Sequence, residues 1–481
     1  MLKYLDDVPW EELGHCYGPA ADLPAAVRAL LSSDASERAD ARAKLASAVV
    51  HQGLLYEASP EVVPFLIELV ADPAVPERAP LLELLYALSQ AGSYHERRAE
   101  EQPAEVVASG AYQLELARER GWVEATQQAL ARGLGTWLSL IGDPDPAVRN
   151  ALGPLLATHG DDAHAIEATI VALIGHEADA TAFTTLLLTP VFLDYTSDSW
   201  LAACRGFLRA PDEMRRVVAA AALGFRLEAD TPDEALDVLL DAIADPSVEM
   251  AAAWERSAWS RDGFVGDLAN VASLLGDRRR ERVVPALLDA IAATDRGDGS
   301  RIAGAALWMA LGDGFEATPP ADALDELQIL TLQALADAPA AWDEPGVIAD
   351  ALCWSAMPQS LAALRAYLAD VTGGPLDREV TLELGGHAQT LPLYAWTERF
   401  FFELGLDGEG LRAVLAELMA PIDVLEVFGE LVMGAHGLDT PRLIDGEYRT
   451  GHPQTAFVTA LDEALADQLG RRFGSGHLDR R

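Results

Sequence analysis

Residues 142–156 read GDPDPAVRNALGPLL, and this stretch decides how the chain is organised. Two Asp-Pro steps follow the apolar run ending at Ile141. Proline has no N–H for a continuing helix and drives the residue before it out of the α region, so the first helix must stop here. In the first turn of a new helix, behind an Asp cap, proline is at home. Alanine and leucine then recur at core spacing. The segment is therefore the end of one helix, a tight turn and the start of a second, with Arg149 one turn in.

The same punctuation recurs in LVADPAVPER around Asp72 and AIADPSVEMA around Asp245, with weaker copies in LLSSDASERAD around Asp34 and FLRAPDEMRR around Pro211. Taking Asp34, Asp72, Asp143, Ala210 and Asp245 as equivalent gives separations of 38, 71, 67 and 35 residues. A period of about 35 with two skipped registers accounts for all four, which marks an internally repeated architecture. In each repeat Asp is expected to cap the second helix. Arg78 and Arg149, each six residues after its aspartate, would reach the neighbouring repeat's aspartate and form a ladder.

Apolar stripes support helices at Val62, Phe65, Leu66, Leu69 and Val70, at Leu81, Leu84, Leu85 and Leu88, and at Leu236, Leu239, Leu240 and Ile243. Thr231-Pro232-Asp233-Glu234 reads as a capping box and Ser59-Pro60 as a simpler start. Between Val49 and Leu66, His51, Tyr56 and Glu57 fall close together. We read them as the joint between two helices, closed by Gly53 and reopened by Ser59, rather than as a general base with helpers.

GDPDPAVRNALGPLL resembles the second half of a HEAT repeat, a helix, a D-x-x-x-V-R turn and a second helix. The first 95 or so residues further resemble a family of bacterial HEAT-like (PBS-lyase-type) repeat proteins, through LGHCYGPA at 13–20, HQGLLYEAS at 51–59 and VPFL at 63–66. The resemblance implies an all-α fold, a right-handed α-solenoid of about eight to ten irregular helix pairs. On this reading residues 1–20 form an N-terminal cap and 21–370 the solenoid. The charged stretch at about 93–120 is an insertion with a short helix. Residues 371–395 make a β-hairpin, because Val380, Leu382 and Leu384 alternate with polar neighbours before Gly385-Gly386. Residues 396–470 return to helix, and 471–481 form a disordered tail.

The charge is one-sided: 76 carboxylates against 35 basic residues give a formal −41. Phosphates would be repelled, so the expected partners include no nucleic acid and no membrane, whereas a basic protein would be steered in. Halophilic adaptation or simple solubility would produce the same excess. Cys16, Cys204 and Cys353 offer neither a disulfide framework nor a metal knuckle and fit a reducing cytoplasm. MLKYLDDVPWEEL has no signal-peptide pattern, and TAFTTLLLTPVFL is too short and threonine-rich to span a bilayer.

Signatures of catalysis are sparse. With lysine only at positions 3 and 44, no phosphate-binding G-x-x-x-x-G-K exists, and HExxH and G-x-S-x-G are also missing. THGDDAHAIE gathers His159, Asp161, Asp162, His164 and Glu167, of which His159, Asp162 and His164 are the metal-ligand candidates. A helix boundary with an Asp cap reads the same residues without a metal. Deoxyhypusine hydroxylase, a HEAT-like di-iron enzyme, uses four His-Glu pairs in register. Only His95-Glu96 and His176-Glu177 occur here, so that resemblance fails at its functional residues.

Binding surfaces favour Trp, Tyr and Arg. Trp254, Trp259, Arg261 and Asp262, together with Asp194, Tyr195 and Trp200 in LDYTSDSW, are the candidates for partner contact, against packing between repeats as the alternative. The expectation is a non-enzymatic, cytoplasmic protein-binding solenoid without cofactor. An immunity or inhibitor protein of a basic bacterial toxin is one version, a scaffold or adaptor a second. A metal-dependent HEAT-like enzyme is the alternative of a different class.

Overall fold

The computed structural model describes residues 2–193, 195–293 and, with short gaps, 299–372, together with 379–384, 387–392, 443–444 and 447–448. These residues are mostly helical and fall into two units, 1–264 and 265–481. The first unit opens with a two-residue antiparallel pair, β1 (Gly14–His15) and β2 (Gly18–Pro19). The helices α1 (Leu23–Ala29), α2 (Ala35–Val49), α3 (Ser59–Ala71), α4 (Arg78–Gln90), α5 (Tyr94–Arg97), α6 (Ala104–Val107), α7 (Gly110–Ala131) and α8 (Leu134–Leu140) follow. Then come α9 (Pro146–Ala157), α10 (Ala163–Leu173), α11 (Ala180–Leu188), α12 (Asp198–Phe207), α13 (Glu213–Leu227), α14 (Asp233–Ala244) and α15 (Val248–Glu255).

The punctuation acts through backbone geometry. Asp72, Asp143 and Asp245 each precede a proline; Asp72 ends α3 with ψ 113° and Asp245 ends α14 with ψ 74°, both outside the α region as a following proline demands. Capping belongs to a second set of aspartates. Asp34, Asp145, Asp179 and Asp212 accept N–H groups from the first turns of α2, α9, α11 and α13. Asp72 instead turns on Ala74 N–H, and α4 starts from Glu77 in the left-handed region at φ 53°. The expected capping box at Thr231 is not formed: its hydroxyl donates to Glu228 O at 2.7 Å, which closes the end of α13, and Pro232 occupies the cap position.

Within this unit α2, α4, α9, α11 and α13 touch in succession. A second row runs through α3, α8, α10 and α12. The rows share a core of Leu66, Leu69, Leu85, Leu152, Leu155, Phe183, Leu187, Val218 and Leu223, all essentially buried. Register Asp143 is thus followed by a repeat that the Asp-Pro signal hides, since Glu177 and Asp179 stand where Asp143 and Asp145 stand one repeat earlier. The stretch around 93–120 holds the short α5 and α6 and most of α7, a 22-residue helix that packs on α3 while α4 meets α9 directly. At the start of the chain, Trp10 is buried, donates from Nε1 to Leu5 O at 2.7 Å and lies 6.3 Å from the Phe65 ring.

The second unit takes over within α16 (Gly263–Ser273) and continues with α17 (Arg280–Ala293), α18 (Gly299–Leu311), α19 (Glu326–Asp337), α20 (Val347–Trp354) and α21 (Leu361–Thr372). Here α17, α19 and α21 touch in one row, and α18 meets α20 in another. Strands β3 (Glu379–Leu384) and β4 (His387–Pro392) then pair antiparallel with Val380 opposite Leu391 and Leu384 opposite His387, the hairpin read from alternation. Its Gly385-Gly386 turn lies outside the described residues. So do the expected helical part 396–470 and the tail 471–481, apart from the antiparallel pair β5 (Leu443–Ile444) and β6 (Glu447–Tyr448). No helix among the described residues is long and apolar enough to cross a membrane.

Candidate functional site

The row α2–α4–α9–α11 is bolted by arginines at equivalent positions. Arg38, Arg149 and Arg216 each donate to the carbonyl six residues back, that of Ser32, Asp143 and Ala210. From there each guanidinium except the last reaches an acid of the next repeat. Arg38 meets Glu77 at 2.7 Å, joined by Arg42. Arg149 grips Glu177 through two bonds of 2.5 and 2.7 Å. Arg78 holds Asp143 with a paired fork of 2.6 and 2.8 Å, its side chain 5% and that of Asp143 7% exposed.

The electrostatics follow from this geometry. Hydrogen bonds from Arg38 and then Arg42 hold the Glu77 carboxyl down at about 2. Burial alone would push Asp143 up, but the Arg78 fork and the Asp145 N–H outweigh it and the carboxyl stays below its ordinary value. The fourth register lacks the arginine: Phe183 takes its place in α11, and the Arg215 guanidinium from α13 lies 4.7 Å from that ring.

The residues of LGHCYGPA (13–20) and HQGLLYEAS (51–59) converge near the start of the chain. Glu57 accepts the Gly14 N–H at 3.1 Å and Ala58 N–H donates to Gly14 O, so the α2–α3 link carries the β1–β2 hairpin. His15 accepts the Tyr17 N–H at Nδ1 and donates from Nε2 to Asp22 at 3.0 Å, which makes it the neutral Nε2–H tautomer. Tyr17 itself is exposed and meets His51 edge-on at 5.7 Å. Burial, with a hydrogen bond to Cys16, pushes the Tyr56 phenol well up. Ser59 Oγ donates to Val49 O at 2.6 Å and accepts the Tyr56 N–H, so it ties the joint where a helix cap was expected. Gly53 (φ +73°) closes the link beneath Arg97, whose Nη1 would lie 2.7 Å from any added Cβ. His51, Tyr56 and Glu57 are a joint.

Nor does the metal-ligand set assemble. His159 is buried, with Nδ1 at 2.9 Å from Leu155 O and Nε2 at 3.4 Å from Leu130 O, both ring nitrogens turned to backbone. His164 lies in the first turn of α10 and bonds Tyr195 OH at 3.0 Å, while Asp162 starts that helix without a side-chain cap. His95 is held by Glu119 at 2.8 Å. Among the described residues no group of three or more potential ligands stands together.

The partner-contact candidates divide sharply. Trp200 is 0% exposed and donates to Leu187 O at 3.3 Å; Trp254 is 1% exposed and meets Phe264 edge-on at 5.7 Å. Both are core. Tyr195 is half-buried against His164, and Asp194 lies outside the described residues. Arg261 and Asp262 follow Trp259 in the link to α16. Trp259 stacks on Phe192 at 4.0 Å with 20° between planes, and Nε1 donates to Thr185 O at 3.0 Å.

That contact belongs to a larger one, in which residues 253–259 cross the face of α9 and α11. Asn150 on α9 donates to Arg256 O at 3.0 Å and accepts the Ala258 N–H at 3.1 Å. Thr181 on α11 donates to Ala253 O at 3.1 Å, and Thr185 also meets the Ala258 N–H at 3.0 Å.

Among the described residues two exposed tryptophans were not singled out from sequence: Trp308, 54% exposed in the last turn of α18, and Trp354, 79% exposed at the end of α20. A Cβ on Gly314 would lie 2.7 Å from Trp354 O, which puts the end of α20 beside the end of α18. The signal was present, since Arg301, Gly304 and Trp308 share the outward stripe of an otherwise buried helix. Among known proteins, neither a family model nor a curated sequence matches the chain.

Proposed function

We propose that the chain is a HEAT-like right-handed solenoid that binds a basic protein in the cytoplasm and catalyses no reaction. The two rows of helices in each unit and the arginine at equivalent positions of successive repeats support the solenoid. One observation carries the binding role. The sequence carries 76 carboxylates against 35 basic residues, and four of those bases, Arg38, Arg42, Arg78 and Arg149, are already engaged by the chain's own Glu77, Asp143 and Glu177. Such a field attracts cationic surfaces and raises their association rate.

An immunity or inhibitor protein covering a basic toxin fits this surface. The test is retention of proteins by the immobilised full chain at about 50 mM and about 500 mM salt, where screening shortens from beyond about 10 Å to a few Å. A basic protein retained at low salt and released at high salt is expected. A partner of neutral or acidic charge, or one indifferent to salt, would overturn the reading.

A further inference from the structure

We propose that α9 and α11 form a seat that reads the main chain of a protein segment, and that the chain's own turn Arg256–Trp259 occupies it as a plug that a partner's tryptophan-bearing turn displaces. The inference rests on the protein-binding reading and names the surface that binds.

The seat recognises backbone. Asn150 bonds a carbonyl and the N–H two residues later, Thr181 takes a second carbonyl, and the Ala258 N–H is shared between Asn150 and Thr185. Thr181, Thr185 and Thr189 fall four residues apart on one stripe of α11 and the turn after it, while the buried Thr184 is turned to Ala180 O. The one plug side chain that is read is the indole of Trp259, which donates to Thr185 O and to Thr189 Oγ1 at 3.3 Å. Gly153 keeps the slot open, because a Cβ there would lie 2.3 Å from Thr185 Cγ2 and 3.5 Å from the indole nitrogen. A segment presenting a carbonyl for Thr181, a second carbonyl three residues on, an N–H two residues after that and an indole on the next residue therefore meets Thr181, Asn150, Thr185 and Thr189 as the resident segment does.

Two features mark the resident as replaceable. Ser257, in the middle of the turn, is buried and its Oγ has no partner among the described residues, a desolvated hydroxyl that weakens the fit. The plug also reaches its seat out of sequence: α15 packs on α11, although α13 is the helix that precedes it in that row. Arg256 opens the turn and Arg261 lies two residues beyond it, and an arginine in the displacing segment suits a chain this acidic.

The test uses a fluorescein-labelled peptide of residues 253–261, AWERSAWSR, titrated against the full chain and read by anisotropy. Trp259→Ala in the protein removes the stack and both indole bonds and frees the seat from an intramolecular competitor whose effective concentration is on the order of millimolar. The variant is expected to bind the peptide at least tenfold more tightly than the wild type. Asn150→Asp in the same background, which replaces the donor facing the carbonyl with an acceptor, is expected to abolish the gain.

Equal binding by wild type and variant, or binding indifferent to Asn150, overturns the proposal. If Trp259→Ala does not melt cooperatively, hydrogen exchange in the wild type decides. Exchange of the Ala258 amide faster than that of the α9 and α11 core supports a plug that opens locally, and exchange only with global unfolding refutes it. Salt-sensitive capture of a basic protein that persists undiminished in Asn150→Asp would sink the seat and leave the broader reading standing.

Discussion

The Arg78–Asp143 rung permits a quantitative test. Substituting Arg78 by Met keeps the volume of the side-chain stem but leaves the Asp143 carboxylate, 7% exposed, facing the α4–α9 contact with one hydrogen bond, the Asp145 N–H at 2.9 Å, and the more distant charge of Arg149 for support. Breaking a buried ion pair from one side costs about 3–5 kcal/mol, because the remaining charge is desolvated without compensation. For a unit of this size each kcal/mol lowers the melting temperature by about 2–4 °C, so a fall on the order of 10 °C is expected in calorimetry of the full chain. Asp143→Asn keeps the acceptor for Asp145 N–H while removing the charge. It should therefore cost less in the Arg78→Met background than in the wild type, with a coupling of about 1–3 kcal/mol. Two single variants whose effects simply add, or an Arg78→Met variant that loses under about 1 kcal/mol, would refute the view that this rung is a desolvated pair bolting non-consecutive helices.

Three further outcomes are expected. The Glu77 carboxyl is held down at about 2, below its ordinary value, so its stabilisation is full above the ordinary glutamate range and is lost progressively as pH falls from there to about 2; the gap between urea melts of wild type and Glu77→Gln should therefore be widest near pH 7 and narrow steadily below pH 4, and a constant gap would contradict the pairing. Gly153→Ala places a Cβ 2.3 Å from Thr185 Cγ2 and should cost about 1–3 kcal/mol in the same melts, whereas Gly160→Ala, with open space around it, should change stability by under about 0.5 kcal/mol. Trp354→Ala should leave melting within about 0.5 kcal/mol of wild type, whereas Trp200→Phe, which strips a donor from the Leu187 carbonyl in the core, should cost about 1–3 kcal/mol, and the opposite pattern would contradict their placement at the surface and in the core.

The helices, the proline stops between them and the arginine rungs were legible because each rests on local chemistry; the caps were less so, since Asp72, Asp143 and Asp245 cap no helix and neither Thr231 nor Ser59 caps the helix it precedes. Proline before a helix, aspartate at its cap and an arginine one turn in act within a few residues, and a recurring offset exposes them. Which acid each arginine meets was not legible in full. Arg78 finds Asp143, as the repeat spacing suggests, but Arg149 finds Glu177, because the next repeat has Glu-Ala-Asp in place of Asp-Pro-Asp and the proline signal is lost.

The tryptophans show a different limit. Trp200, Trp254 and Trp308 are equally aromatic in a list of residues, and only their phase relative to the apolar stripe separates core from surface. The seat on α9 and α11 was beyond reach, since Asn150 and Ala258 lie 108 residues apart and no local rule joins them.

The three thiols differ in burial, and this gives the chain a natural attachment point. Cys204 is enclosed and burial drives its thiol far up the pH scale, Cys16 is half-covered and bonded to Tyr56, and Cys353 is exposed one residue before Trp354. A maleimide dye offered briefly at neutral pH should thus mark one position in the unsubstituted protein. That dye would sit beside the exposed indole at the end of α20 and report, through its own emission, any change in that indole's surroundings.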